Sequence, residues 1–247
     1  MLNTTALISK FSEALCSLGI ASKEEKVFTL LEYFKELWQW NALFNLVGEK
    51  TFEQLYLNQG IDCLAIFATE INLEKQSVID LGSGGGLPGV VLKIWEPSLR
   101  VSLVESNRKK VNFLNHIVKK FLLSDVKIFE DRIETLAHIP NLRESFSLVL
   151  AKALAPMSVL VEYALPFLLP KGLFVAYKGK EGERELWEAR EAICLLGGKE
   201  KAVYKYIIPF SALVKRSLII IEKTSTTPFR YPRKVGIPSK YPLPKWR

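Results

Sequence analysis

Four glycines fall within five positions of a run that reads Asp-Leu-Gly-Ser-Gly-Gly-Gly-Leu-Pro-Gly over residues 80–89. The run follows the apolar pair Val78-Ile79 and precedes a second apolar segment, Val90 to Ile94. This order predicts a strand, a tight turn and a helix, because glycine tolerates positive φ angles and lets a ligand approach the main chain. No Gly-Lys-Ser/Thr follows the run, which argues against a Walker-type phosphate loop.

An acidic residue stands at a suitable distance from these glycines. Glu105 ends the apolar run 101–104, about 20 positions after the loop, where a carboxylate can accept hydrogen bonds from ribose hydroxyls. The glycine loop and Glu105 together favour a nucleotide-like cofactor, with S-adenosylmethionine as the leading candidate. Gly84, Gly86 and Gly89 also satisfy the G-x-G-x-x-G pattern of NAD proteins, so the pattern alone leaves the cofactor open. A turn that serves only close packing is the structural alternative.

Composition limits the class of protein. The 247 residues, 49% of them hydrophobic, suffice for one core domain with an appended segment. Cys16, Cys63 and Cys194 show no C-x-x-C spacing, which argues against a zinc site and a disulfide framework and suggests a reducing compartment. The chain has neither an apolar run of about 18 residues nor the pattern of a signal peptide. We expect a soluble cytoplasmic monomer that contacts no membrane.

The net charge of +8 is concentrated at one end of the chain. Seven basic residues and no acid lie between Lys223 and Arg247, so the remainder carries about +1 (8 − 7). Five of the twelve prolines lie in the same segment, which predicts an extended arm over 224–247. Interleaved cations and aromatic side chains are typical of nucleic-acid contacts, but a strap packed on its own domain remains open.

Residues 1–75 are predicted to form a helical segment that packs on the main domain. Ser22 and Glu25 have capping-box spacing, and apolar residues then recur at helical spacing from Val27 to Trp38. An earlier helix carries apolar residues between Leu7 and Leu18. The segment Trp40 to Glu49 is predicted to be a loop.

Residues 76–223 alternate between strand and helix patterns. Strands are predicted over 77–81, 100–105, 125–130, 146–151, 172–178, 202–209 and 217–223. Helices are predicted over 87–95, 107–122, 157–167 and 181–196. This alternation indicates an α/β fold with a parallel sheet covered on both faces, and the short last connection requires antiparallel pairing. The pattern is that of class I S-adenosylmethionine-dependent methyltransferases, which are Rossmann-like.

The predicted strand ends limit the chemistry. After the third strand, Ile133 can pack on adenine with Glu134 near its exocyclic amine, although a solvated turn over 130–134 is equally open. The fourth strand end, 150–156, lacks the Asn/Asp-Pro-Pro-aromatic motif of amine methylation, and no cysteine lies near a strand end. An acceptor with a free lone pair, such as guanine N7, then needs only positioning. We therefore predict no catalytic acid or base and no metal, and structural or solvated roles for His116 and His138.

Several segments resemble one known family. They are Val78 to Gly89, Glu105-Ser106 with Lys109-Lys110, Arg132-Ile133-Glu134, Lys152-Ala153, Trp40-Asn41 with Asn45-Leu46, and Tyr231 to Pro238. Together they are similar to the bacterial small-subunit ribosomal RNA guanine-N7 methyltransferases, also called glucose-inhibited division protein B. The resemblance runs from about Leu30 into the arm and includes the Leu-Pro-Gly extension of the glycine loop.

This resemblance implies methyl transfer from S-adenosylmethionine to guanine N7 in 16S ribosomal RNA, on naked RNA or the small ribosomal subunit. The implied cofactor-binding residues are Gly82, Ser83, Gly84, Leu87, Glu105 (at the ribose), Ile133, Glu134 and Lys152. The expected RNA-binding residues are Lys109, Lys110, Arg230, Arg233 and Lys234.

The chain departs from the family pattern at two places. Lys152 stands where the family usually has arginine, which keeps the charge but loses the planar, bidentate guanidinium. Asn58-Gln59 stand where the family usually has Arg-His. Two other functions remain open: a non-enzymatic RNA-binding assembly factor, favoured by the basic arm, and an NAD-dependent oxidoreductase, allowed by the glycine spacing.

Overall fold

The computed structural model describes residues 4–209 and 214–243. The described residues form ten α-helices: α1 Thr4–Ser17, α2 Glu24–Phe44, α3 Phe52–Gln54, α4 Gly60–Leu64, α5 Gly89–Trp95, α6 Arg108–Lys120, α7 Ile133–Leu136, α8 Met157–Ala164, α9 Gly182–Leu195 and α10 Ile237–Lys240. A π-helical stretch, Leu55–Gln59, joins α3 to α4, and 3-10 turns at Ala65–Ala68 and Leu165–Phe167 follow α4 and α8.

Seven strands of the described chain form one sheet: β1 Ser77–Leu81, β2 Arg100–Val104, β3 Val126–Phe129, β4 Phe146–Lys152, β5 Leu168–Lys178, β6 Gly198–Ile208 and β7 Val214–Lys223. Their order is β3-β2-β1-β4-β5-β7-β6. The first five strands pair in parallel, whereas β7 is antiparallel to both β5 and β6. The predicted parallel sheet and its antiparallel last pair are thus confirmed.

Helices cover both faces of this sheet. On one face, Phe11, Leu30 and Leu103 belong to a core that α1, α2, α5 and α6 share with the strands. On the other face, Phe174 and Leu160 belong to a core shared with α8 and α9. The carboxyl ends of β1, β2 and β4 meet at one sheet edge, which is where ligands bind in open α/β sheets.

The N-terminal helices correct two expectations from the sequence. The segment Trp40–Phe44, predicted as loop, continues α2, because the aromatic side chain of Trp40 packs on Phe113 with ring centroids 5.4 Å apart. The capping box is not formed: Lys23 is the N-cap of α2, and the Ser22 hydroxyl donates to the hydroxyl of Ser12. The proposed division into segments 1–75, 76–223 and 224–247 stays a prediction.

The C-terminal arm, residues 224–243 in the described chain, packs along the domain. Arg143 donates hydrogen bonds to the carbonyl oxygens of Thr227 and Tyr231 at 2.9 Å each. Arg233 forms a bidentate pair with the fully buried Glu162, at 2.9 Å and 2.7 Å. Buried Tyr231 and Leu243 add apolar contacts, so the arm is a strap on its own domain.

Candidate active site

The glycine loop after β1 has the backbone that its sequence predicts. Gly82 and Gly84 adopt positive φ angles of 67° and 55°, which cost other residues energy. A Cβ atom at Gly82 would lie 2.6 Å from Cδ1 of Leu154, so a side chain there would displace its neighbour. The loop therefore has no room for a side chain at Gly82.

Polar contacts from β1 and β2 hold the loop in place. The Ser83 amide donates to the carbonyl of Val104 at 2.9 Å, and its hydroxyl donates to the carbonyl of Asp80 at 2.9 Å. The Gly89 amide donates to Asp80 Oδ2 at 3.0 Å, which fixes the first residue of α5. Burial raises the pKa of Asp80 to about 7, and the hydrogen bond from Gly89 opposes that rise.

The N-terminal helix α2 supports the loop from outside. The Tyr33 hydroxyl donates to the carbonyl of Gly85, and burial raises the pKa of that tyrosine. Leu37 lies so close that a Cβ at Gly85 would be 2.8 Å from its Cδ1 atom. The helical segment thus takes part in shaping the predicted cofactor loop.

Glu105 links the loop to the end of β2. Its Oε2 atom accepts from the Gly84 amide at 3.0 Å, and its Oε1 atom accepts from the Asn107 amide at 2.8 Å. The residue is 8% exposed. The carboxylate is therefore held in one orientation at the position where a ribose is expected.

A cavity of about 340 Å³ opens beside these residues, and Gly82, Glu105, Ile133 and Glu134 all line it. The other predicted cofactor residues lie outside its lining. Ser83 and Leu87 are buried, the Gly84 amide donates to the lining residue Glu105, and Lys152 precedes the lining residues Ala153 and Leu154 in the chain. Further lining residues are Val104, Ser106, Lys110, Asp131, Arg132, Ala155, Tyr163 and Ser239.

Glu134, the first-turn acid of α7, is 3% exposed. Its Oε1 atom accepts from the Gly236 amide at 2.9 Å and from the Tyr163 hydroxyl at 3.3 Å. Tyr163 in turn shares a 2.9 Å hydrogen bond with the hydroxyl of Ser239. The acid predicted near adenine is thus oriented by α8 and by the C-terminal arm, and not by a lysine or arginine of the described chain.

Lys152, the last residue of β4, lies in a second polar cluster. Its ammonium is 3.0 Å from Asp62 Oδ2 and also donates to the side-chain oxygen of Gln59. Asp62 Oδ1 accepts from the Tyr206 hydroxyl at 2.6 Å and lies 3.8 Å from Arg216 Nε. We call these five residues, Gln59, Asp62, Lys152, Tyr206 and Arg216, the Lys152 cluster.

The charge of Lys152 is stable within this cluster. Burial acts to lower the pKa of the ammonium, whereas the charge of Asp62 raises it, and the net pKa lies above the ordinary lysine value. Burial also raises the pKa of Cys63, which disfavours the thiolate needed for nucleophilic attack. Lys152 is therefore a fixed cation and Cys63 an unreactive thiol.

Comparison with known proteins identifies the family. A family model described as "GidB: rRNA small subunit methyltransferase G" matches residues 26–214. A ribosomal RNA small subunit methyltransferase G from Oceanobacillus iheyensis is 39% identical over 235 residues, covering 95% of this chain and 98% of that protein. One from Bacillus cereus is 37% identical over 239 residues, covering 96% and 99%. The chain belongs to the GidB family.

The fold of this GidB-family chain is also found in more distant proteins. A predicted O-methyltransferase from Agrobacterium tumefaciens superposes with a TM-score of 0.53 at 13% identity, covering 67% of this chain and 83% of that one. Such a likeness establishes the class I methyltransferase fold, as predicted from the strand order, and leaves the acceptor to be argued from the site.

The residues expected to bind RNA have different surroundings. Lys110 lines the 340 Å³ cavity, and the Lys109 ammonium lies 5.9 Å from the ring centroid of Phe44. Arg230 and Lys234 are exposed, whereas Arg233 is engaged with Glu162. RNA binding by these residues stays a prediction, and for Arg233 the packing of the arm offers a second explanation.

Both histidines have structural partners. His116 Nε2 lies 2.9 Å from Glu36 Oε2, and His138 Nε2 lies 2.8 Å from the carbonyl of Pro232. The described residues contain no group of three acidic, histidine or cysteine side chains placed to hold a metal ion. None of the described helices is long and apolar enough to cross a membrane.

Sequence reasoning missed several residues around the site. Tyr163 and Ser239 line the cavity but lie in segments without a recognisable motif. Asp62 and Tyr206 belong to the Lys152 cluster and are far apart in the chain. The sequence does carry one signal for this cluster. Gln59 and Lys152 both differ from the residues usual in the family, and in the structure their two side chains are in direct contact.

Proposed function

We propose that this protein transfers a methyl group from S-adenosylmethionine to N7 of a guanosine in 16S ribosomal RNA. The observation that carries the proposal is the cavity in which Gly82, Glu105, Ile133 and Glu134 meet, within a chain of the GidB family. Bound S-adenosylmethionine supplies an electrophilic methyl group on a sulfonium. The protein's contribution is to hold the acceptor base in line with that methyl group.

The lining residues fit such a cofactor. Gly82 lines the cavity without a side chain, Glu105 offers carboxylate oxygens to ribose hydroxyls, and apolar Ile133 offers a surface for a purine. Glu134 is oriented to accept a hydrogen bond from an exocyclic amine. We propose that Ser83, Gly84 and Leu87 support the conformation of the glycine loop without lining the cavity.

Lys152 acts, in this proposal, on the acceptor side of the loop. The Leu81–Ala151 pairing of β1 and β4 puts the two strand ends side by side, so Lys152 follows directly beside the glycine loop. Its ammonium is already paired with the buried Asp62 carboxylate, so its proposed task is to fix the geometry of the strand end beside the loop. Guanine N7 has a free lone pair, so no residue needs to remove a proton before transfer.

The proposal includes a cytoplasmic monomer whose substrate is naked 16S ribosomal RNA or the small subunit. Sedimentation of the purified protein, alone and mixed with small subunits, tests the oligomeric state and the partner. Co-sedimentation of one copy per subunit supports the proposal, and a stable dimer in the absence of RNA contradicts its monomer part.

Radiolabelled methyl transfer to unmodified small subunits, naked 16S ribosomal RNA and transfer RNA, run in parallel, tests the function. Label confined to 16S ribosomal RNA is expected. Borohydride reduction followed by aniline should then cleave the labelled strand at one guanosine. Label without cleavage would exclude N7 as the acceptor.

The other two functions predict different results. An assembly factor that lacks enzyme activity would bind small subunits equally well after Gly82→Arg and would transfer no label. An NAD-dependent oxidoreductase would bind NAD in calorimetry and would not bind S-adenosylhomocysteine. Binding of S-adenosylhomocysteine with label transfer excludes both.

A further inference from the structure

One residue that lines the proposed cofactor cavity belongs to the C-terminal arm. Ser239, in the short helix α10 of the C-terminal arm, lines the same cavity as Gly82 and Glu105. The arm is the most basic and proline-rich part of the sequence, and its composition alone leaves both RNA contact and packing on the domain open. Its position beside the cavity points to a different task.

A chain of hydrogen bonds connects the arm to Glu134. The Ser239 hydroxyl is 2.9 Å from the Tyr163 hydroxyl, and that hydroxyl donates to Glu134 Oε1 at 3.3 Å. The Gly236 amide donates to the same oxygen at 2.9 Å. The hydrogen-bond donors that reach the buried carboxylate are therefore neutral, and both donate to Oε1.

Neutral donors have a chemical consequence for a carboxylate. They fix the orientation of the group without cancelling its charge by an ion pair, so the carboxylate remains a strong acceptor toward a ligand amine. An adenine exocyclic amine is such a donor. Without the arm, Glu134 would lose the Gly236 amide and the support of Ser239 on Tyr163 together.

The arm is held at this place by stronger anchors on either side of its turn. Arg233 pairs with Glu162, whose side chain is fully buried, and the Arg233 amide donates to the same carboxylate at 2.8 Å. Pro238 is buried within the turn itself, and Leu243 is buried beyond it. The turn at Gly236, with φ of 80°, therefore has a defined position against α7.

We propose that residues 236–239, which we call the arm turn, are part of the cofactor-binding site and complete its adenine end. The inference rests on the proposed function in that it takes the cavity to bind S-adenosylmethionine. Docking of the arm turn and binding of the cofactor then stabilise each other, because linkage between two equilibria is reciprocal.

Calorimetry with S-adenosylhomocysteine and without RNA tests the inference directly. Deletion of residues 236–247 should raise the Kd at least tenfold. Ser239→Ala, which removes one neutral hydrogen bond, should raise it by about threefold to tenfold. Deletion of residues 244–247 alone, and the double change Lys119→Ala with Lys199→Ala at exposed positions elsewhere, should leave the Kd unchanged.

The outcomes separate this inference from the function itself. If the full-length protein does not bind S-adenosylhomocysteine, the proposed function fails. If it binds and both the 236–247 deletion and Ser239→Ala bind equally well, only the role of the arm turn fails. Circular dichroism of each variant identifies a deletion that does not fold, and Ser239→Ala then decides the question.

Limited trypsin digestion gives a second readout that does not depend on a variant. Lys234 and Lys240 are exposed and flank the arm turn. Saturating S-adenosylhomocysteine should slow trypsin cleavage after Lys234 and after Lys240. By linkage, the slowing cannot exceed the ratio of the Kd of the 236–247 deletion to the Kd of the full-length protein. Cleavage after exposed Lys75, which lies at the opposite sheet edge before β1, should not change. Equal rates with and without ligand at Lys234 and Lys240 would overturn the coupling.

Discussion

The two sides of the glycine loop are built in different ways. On the side of the cavity, which we call the cofactor side because of its proposed role, carboxylates hold main-chain groups of the loop: Glu105 accepts from the Gly84 amide, and Asp80 accepts from the Gly89 amide. On the other side, which we call the acceptor side because of its proposed role, the Lys152 cluster joins side chains from α4 and its preceding π-helical stretch, from β4 and from the β6–β7 hairpin.

This difference determines how each side tolerates substitution. The glycine loop depends on main-chain conformations and contacts that only glycine allows. Any larger residue at these glycine positions therefore disrupts the loop. A buried ionic cluster depends on complementary charges, so a paired replacement can preserve it although a single one cannot. The following predictions test whether the two sides respond as differently as their construction implies.

The largest effect is expected on the cofactor side. Gly82→Arg should abolish S-adenosylhomocysteine binding and methyl transfer, because a Cβ there already meets Leu154 at 2.6 Å and the φ angle is positive. Gly48→Ala is the matched control, since an added Cβ there meets no atom within 4 Å. Calorimetry and label transfer measure both, and retained binding by Gly82→Arg would locate the cofactor elsewhere.

The next effect concerns the acceptor side. Lys152→Met should lower the free energy of unfolding by up to about 3–5 kcal/mol, because it removes the nearer cation of the buried Asp62 carboxylate and leaves only Arg216 Nε, at 3.8 Å. Lys152→Arg should retain most of the stability. The double change Lys152→Met with Asp62→Asn should recover part of the loss in urea denaturation. If Lys152→Met alone is as stable as the parent, the Lys152–Asp62 ion pair contributes nothing to the stability of the protein.

A smaller effect is expected at the ribose position. Glu105→Ala should weaken S-adenosylhomocysteine binding by about 1–3 kcal/mol, the range for removing a hydrogen bond to a charged group. Glu105→Gln keeps one acceptor oxygen and should fall between the alanine variant and the parent in calorimetry. Unchanged affinity in the alanine variant would mean that Glu105 only supports the loop.

The loop geometry on the cofactor side could be predicted from the sequence for a physical reason. Glycines with positive φ, and an acid at the end of the next strand, are local features whose spacing is set by the strand–turn–helix unit itself. The antiparallel last pair followed from connection length in the same way. The helical continuation through Trp40 could not be predicted, because its contact with Phe113 forms only in the folded chain.

The acceptor side and the arm turn were inaccessible to such reasoning. Gln59 and Lys152 are 93 positions apart and Glu134 and Gly236 are 102 apart, so no local pattern connects them. The basic composition of the arm gave no sign that the charge of Arg233 is matched by a fully buried glutamate. Long-range side-chain pairing, unlike loop shape, becomes visible only in three dimensions.

The dependence of stability on pH offers a finer test of the cofactor side. Burial raises the pKa of Asp80 from 3.8 to about 7, so the folded protein binds more protons than the unfolded chain between those values. The contribution of Asp80 to stability therefore falls as the pH rises through this window. Relative to the parent, the free energy of unfolding of Asp80→Asn should rise by up to about 1.4 kcal/mol per pH unit between pH 4 and 7. If plots of unfolding free energy against pH are parallel for the two proteins over this range, the pKa of Asp80 is not raised by burial.

The smallest effect is expected from the exposed cations of the arm, which belong to neither side of the loop. Arg230→Ala with Lys234→Ala should weaken binding to 16S ribosomal RNA severalfold. It should also reduce the slope of log K against log salt by about 0.7 for each phosphate of single-stranded RNA that the variant no longer neutralises. Lys119→Ala with Lys199→Ala removes the same net charge from exposed positions elsewhere and should leave the slope unchanged. Equal reductions in the two double variants would mean that RNA responds to overall charge, and the arm would then serve the cofactor side alone.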